Sequence, residues 1–90
     1  MLIRIDFASE EALYMQLYNQ IIYGIANADL RQGDTLPSVR ELAEDIGINM
    51  HTVNKAYAVL RQEGYVRLDR RHGAVIDVNS DKLRALEAFK

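Results

Sequence analysis

Between residues 13 and 60 the apolar positions fall at the spacings of three successive helices. Leu13, Leu17, Ile21 and Ile25 recur every fourth residue, with Tyr14, Tyr18 and Ile22 beside them. That period predicts a first helix over roughly 12–28 with a wide buried face. Ser9 stands where its N-cap belongs, and Glu10 and Glu11 suit the positive end of the helix dipole. Val39, Leu42, Ala43 and Ile46 line one face of a second helix. Ser38 and Glu41 bound it as a capping box, and Gly47 closes it. Asn49 caps a third helix with Val53, Ala56, Tyr57 and Leu60 on one face, running to about Glu63 before Gly64 stops it.

Beyond Gly64 the period drops to two. "YVRL" and "AVIDV" flank "DRRHG", which predicts a β-hairpin with a basic, glycine-bearing tip. "LIRIDF" also alternates, so Leu2 to Phe7 is a short strand or an extended arm. In "DLRQGDTLP", Gly33 permits a turn and Pro37 disfavours helix at Leu36. The tail spaces Leu83, Leu86 and Phe89 three apart, enough for a short helix beginning after Ser80. The expected fold is mainly α, a three-helix bundle followed by a β-hairpin and a short C-terminal helix. Residues 1–78 form one domain and 79–90 the start of a C-terminal, dimerising helix.

Composition narrows the function more than the fold. Ninety residues, 49% hydrophobic and 27% charged, make one soluble globular domain with a modest core. The absence of cysteine excludes a disulfide scaffold or thiolate metal site. The stretch around Ile21 to Ala28 is too short and too interrupted to span a bilayer, and the acid-bearing N-terminus does not read as a signal peptide. The chain is therefore expected in the cytoplasm. Its formal charge of −2 argues at first against nucleic acid. The distribution argues otherwise. Residues 1–48 set Arg4, Arg31 and Arg40 against eight acids, whereas residues 49–73 set Lys55, Arg61, Arg67, Arg70 and Arg71 against Glu63 and Asp69 alone. The basic charge lies in the third helix and the hairpin.

Two short helices joined by a glycine-bearing turn form a helix-turn-helix pattern. Small Ala43 and Ala56 let the pair approach closely, and the third helix is left with Met50, His51, Asn54 and Lys55 pointing away from the core. The front of such a helix fits a DNA major groove, where side chains reach base edges and the helix N-terminus favours a phosphate. Thr52 offers a hydroxyl in the first turn, and Lys55 and Arg61 further along the helix are candidate phosphate contacts, with solvated helix positions as the alternative. The hairpin makes the motif a winged helix, with Arg70, Arg71, His72 and Gly73 at a tip able to touch the backbone or minor groove.

"GDTLPSVRELAEDIGINMHTVNKAYAVLRQEGYV" followed by "RRHGAVI" resembles the DNA-binding domain of the GntR family of bacterial transcription factors, over roughly Leu13 to Val78. The resemblance implies DNA contacts from Arg40 of "PSVRELA", from Asn49, Met50, His51 and Thr52, and from the wing pair His72 and Gly73. It also implies a homodimer that binds a palindromic operator and acts as a repressor. Many members carry arginine at the positions of Met50 and Asn54; here Asn54 suits adenine and Met50 a thymine methyl, which implies an operator less dependent on guanine. Most members add an effector-binding domain. Only about a dozen residues follow the wing here, too few to enclose a ligand, so the chain is more similar to the short-tailed, YtrA-type branch and reads as clipped even against it.

Other chemistries find little footing. His51 and His72 have no partner at metal-ligand spacing, so no metal and no cofactor are expected. Ser9, Ser38 and Ser80 all fall at cap positions, away from any nucleophile motif, and no enzyme is expected. Arg40 has a bland alternative as an exposed partner of Glu44. Tyr14, Tyr18, Tyr57 and Tyr65 read as core or interface residues. The competing function is a winged helix used for protein contact, for which the acidic first half is the argument.

Overall fold

The computed structural model describes residues 3–88. Helix α1 (Leu13–Ala26) is followed by α2 (Val39–Ile46) and α3 (Met50–Gln62), then by an antiparallel hairpin of β1 (Val66–Asp69) and β2 (Gly73–Ile76), and α4 (Ser80–Glu87). Leu2 of the expected arm and Phe89 of the expected tail helix lie outside the described residues.

The second and third helices start and stop where their side chains dictate. Ser38 accepts the Glu41 amide at 3.1 Å while the Glu41 carboxylate accepts the Ser38 amide, closing the capping box. Gly47 takes a left-handed φ of 72° and its N–H reaches the Ala43 carbonyl. Asn49 caps α3 through the His51 amide at 2.7 Å.

Two caps differ from the sequence reading. Ser9 does not cap α1: its hydroxyl accepts the Glu11 amide, and the helix starts three residues later behind Ala12, with no side-chain cap and no acid in its first turn. The physical reason is Gln16. Its buried carboxamide donates to the Asp6 and Glu11 carbonyls at 3.0 Å and accepts the Asp6 amide at 2.8 Å, holding the entering chain in a bend. In α4 the cap is Asn79, which accepts the Lys82 amide at 2.8 Å, and Ser80 is already helical. Asparagine caps at least as well as serine, and the hairpin delivers Asn79 with the extended backbone a cap needs.

The core is the set of faces expected from periodicity. Leu17, Ile21, Val53, Ala56 and Leu60 are wholly buried, Leu42 and Ala43 nearly so, and Ile76 of β2 joins them. Each such Leu or Ile contributes about 1.5–3 kcal/mol by leaving water. Val39, Ile46, Leu83 and Leu86 pack half-buried against this cluster.

Residues 3–6 form an arm, not a strand. Gln20 accepts the Arg4 amide at 2.9 Å and donates to the Arg4 carbonyl, as Gln16 does with both groups of Asp6. Residues four apart on a helix rise about 6 Å, close to the span of two residues of extended chain, so two glutamines replace a partner strand. The hairpin also gains an edge that the sequence did not signal. The α1–α2 connection runs beside β2, pairing Thr35 with Val75 and exchanging bonds between Gly33, Asp34, Leu36 and the backbone of Ala74 and Ile76.

Candidate nucleic-acid interface

Helix α3 is fixed before any of its outward side chains is considered. Its buried face of Val53, Ala56, Tyr57 and Leu60 seats it on α1 and α2. The Tyr57 hydroxyl donates to the Pro37 carbonyl at 2.7 Å, tying the middle of α3 to the entry of α2. Burial, reinforced by the Glu41 charge, pushes the Tyr57 phenol up, so it stays a neutral donor. At the far end the Tyr18 hydroxyl donates to Glu63 at 2.8 Å. Burial and then this carboxylate push the Tyr18 phenol up as well.

The outward residues divide into three groups. Met50, His51 and Asn54 are exposed, Met50 at 47%, and form the open face at the front of α3. Asn49 is exposed but spends its side-chain oxygen on the His51 amide, and Thr52 is half-buried. Lys55 leans to the opposite flank, its ammonium 4.1 Å from the Tyr14 ring centroid on α1. The structure thus separates Lys55 from the residues that face the wing.

Arg40 sits in the first turn of α2 with its side chain in solvent. The alternative pairing with Glu44 does not form: among the described residues Arg40 has no ion-pair partner. The start of α2, the middle of α3 and the base of the wing meet around one apolar groove of about 220 Å³, lined by Pro37, Ser38, Asn54, Tyr57 and Gly73 among others. Residues from three separate stretches of sequence are therefore brought to one side of the molecule.

The wing tip is held by an acid. Asp69 accepts the Arg71 amide at 2.7 Å and lies 3.4 Å from His72 Nδ1 and 3.3 Å from Arg67. The Arg71 amide first, then His72, draw the Asp69 carboxyl down to about 2. Gly73 follows at φ 74°, the left-handed step that returns the chain into β2. Arg70, Arg71 and His72 are left exposed on this turn, and the turn holds Arg71 by its backbone amide, which leaves the Arg71 guanidinium free of the Asp69 contact.

Sequence reasoning kept Arg61 as a phosphate contact outside the base-reading set and left Leu68 and Asp69 out altogether. Arg61 lines the groove with Asn54, a position that their seven-residue spacing on one helix marks. Leu68 stands 60% exposed on the wing and lines the same groove. Asp69 shapes the tip, for which the acid just ahead of "RRHG" is the signal. Among the described residues no three His, Asp or Glu side chains gather as metal ligands would, and no helix is long and apolar enough to cross a membrane.

Comparisons with known proteins agree with this fold. The profile of the bacterial regulatory proteins of the gntR family matches residues 13–76. The HTH-type transcriptional repressor YtrA of Bacillus subtilis is 39% identical over 79 residues, covering 88% of this chain and 61% of that protein. YtrA from Sulfolobus acidocaldarius, solved as a GntR-family transcription factor, is 42% identical with a TM-score of 0.81, over 97% of this chain and 76% of that one. The AraR DBD, solved in complex with an operator, is 25% identical with a TM-score of 0.66, over 83% of this chain and 94% of that one.

Proposed function

The chain belongs to the GntR family of bacterial regulatory proteins and is a DNA-binding transcription regulator; we propose that it acts as a repressor, binding a palindromic operator as a homodimer in the cytoplasm. Each protomer lays the front of α3 in a major groove. Met50, His51 and Asn54 meet base edges, the Thr52 hydroxyl meets a phosphate, and Lys55 reaches the backbone from the α1 flank. Arg40 contacts the backbone beside α3, and Arg70, Arg71, His72 and Gly73 enter the neighbouring minor groove. Residues 79–90 begin the helix through which two protomers pair.

The carrying observation is the meeting of α2, α3 and the wing around one groove, with Ser38, Asn54 and Gly73 on its walls, and Arg40 exposed in the first turn of α2. The names of similar proteins, a YtrA repressor and an AraR DBD on an operator, support the same reading. The test is selection of random duplexes on the purified protein, with affinity followed across salt. An enriched palindrome bound by two protomers, with log K falling as log salt rises, is the expected result. Enrichment of a single half-site bound by one protomer would overturn the dimer, and absence of any enriched sequence would overturn the base-reading roles.

A further inference from the structure

The groove between α3 and the wing carries chemistry that the base-facing residues do not use. On one wall α3 presents Ala58 and Arg61, one and two turns beyond Asn54; on the other β1 presents exposed Leu68. The polar groups nearby are largely spent. Tyr57 donates to Pro37, and Arg67 lies 3.3 Å from Asp69 and 3.4 Å from Asp77. Arg61 is exposed and has no ion-pair partner among the described residues. The result is an apolar trough with an available guanidinium at its rim.

A major groove and the minor groove beside it are separated by one sugar–phosphate strand. A duplex that takes α3 in the first and the wing tip in the second must carry that strand across this trough. Arg61 lies about 10 Å along the helix from Asn54 and away from the base-reading front, too far back for a base edge. The geometry points to Arg61 as a phosphate clamp for the crossing strand, with Ala58 and Leu68 as the apolar bed under its deoxyribose. Ala58 is small where a longer side chain would fill the trough. The inference rests on the docking proposed above, and it adds a contact that secures affinity without reading sequence.

The test compares the unaltered protein with Arg61→Gln, Arg61→Lys, Ala58→Leu and a wing variant, Arg70→Ala with Arg71→Ala, on selected and random duplexes across a salt series. Removing one phosphate contact lowers the slope of log K against log salt by about 0.9. Arg61→Gln is expected to show that loss and to weaken both duplexes alike, roughly tenfold at low salt. Arg61→Lys keeps the slope. Ala58→Leu weakens binding while its melting temperature stays at or above that of the unaltered protein, since a groove-filling leucine costs the fold nothing. An unchanged slope in Arg61→Gln, or a changed base preference, overturns the clamp. If the wing variant also leaves affinity and slope unchanged, the minor-groove docking fails with it; if the wing variant weakens binding and Arg61→Gln does not, the clamp alone fails.

Discussion

At the scale of single residues, the outward positions separate into those that serve the fold and those left for a partner. Ala28 is a residue that serves the fold imperfectly. The end of α1 has the full hydrogen-bond pattern of a left-handed helix stop: Asp29 reaches the Gly24 carbonyl at 2.8 Å and Ala28 the Ile25 carbonyl at 3.2 Å, with Ala28 at φ 63°. Glycine is the usual occupant of that step, because a Cβ in the left-handed region costs about 1–2 kcal/mol. Ala28→Gly should therefore raise stability by about 1 kcal/mol after its own entropic cost, read as a rise in the denaturation midpoint at unchanged slope. Arg40 belongs to the other group, exposed and without an ion pair among the described residues. Arg40→Ala should leave the melting temperature within the error of a surface substitution and weaken DNA binding several-fold. Equal affinity in a folded variant would take Arg40 out of the interface.

At the scale of elements, α2 and α3 were legible in the sequence because side chains define both their ends. Ser38, Glu41, Gly47 and Asn49 each act within a few residues of their own position. The start of α1 was legible from its apolar period to within a residue, but the way the chain enters it was not: in place of a Ser9 cap stands a contact ten residues apart between Gln16 and Asp6, and nothing in a local window distinguishes that glutamine from a solvent-facing one. The third edge of the wing was missed for the same reason: Thr35 and Val75 are forty positions apart and meet only once the bundle has formed. For the candidate site, the front of α3, the wing tip and the face shared by Asn54 and Arg61 could be read from spacing, whereas the groove that joins them, and with it the place of Leu68, exists only between elements. The wing is also the element with a pH limit. Asp69 is held at about 2, below the ordinary carboxylate range of roughly 4. A carboxyl depressed in the folded state stabilises it above the unfolded value, and that contribution is lost as pH falls through the folded one. The tip should therefore stay ordered down to about pH 4 and loosen between about pH 4 and 2. Amide exchange at Arg71, the residue whose N–H Asp69 accepts, is the direct reporter, and Asp69→Ala, which removes the acceptor, should show fast exchange there already at neutral pH.

At the scale of the whole molecule, charge and size decide what one protomer can do. The chain carries −2 overall, yet α3 and the wing hold five cations against Glu63 and Asp69 alone, so the protein has an oriented field with its attraction to DNA concentrated on that part of the surface. Its longest dimension is 34 Å, which matches about one turn of B-DNA and no more. One protomer can thus cover a half-site but cannot reach the next equivalent major-groove face. A palindrome with half-sites one turn apart requires two protomers side by side on the same face of the duplex, and their helices α3 then stand about 34 Å apart. The expected footprint is about two turns with two protomers bound. Inserting about five base pairs between the half-sites rotates one of them to the opposite face, and affinity should fall to that of a single half-site. Inserting a full turn restores the face but separates the protomers by a further 34 Å or so, more than these residues span, so pairing through α4 should remain lost. Recovery of full affinity with the full-turn insertion would mean that the two protomers do not touch on DNA, and the pairing helix assigned to residues 79–90 would have to be abandoned.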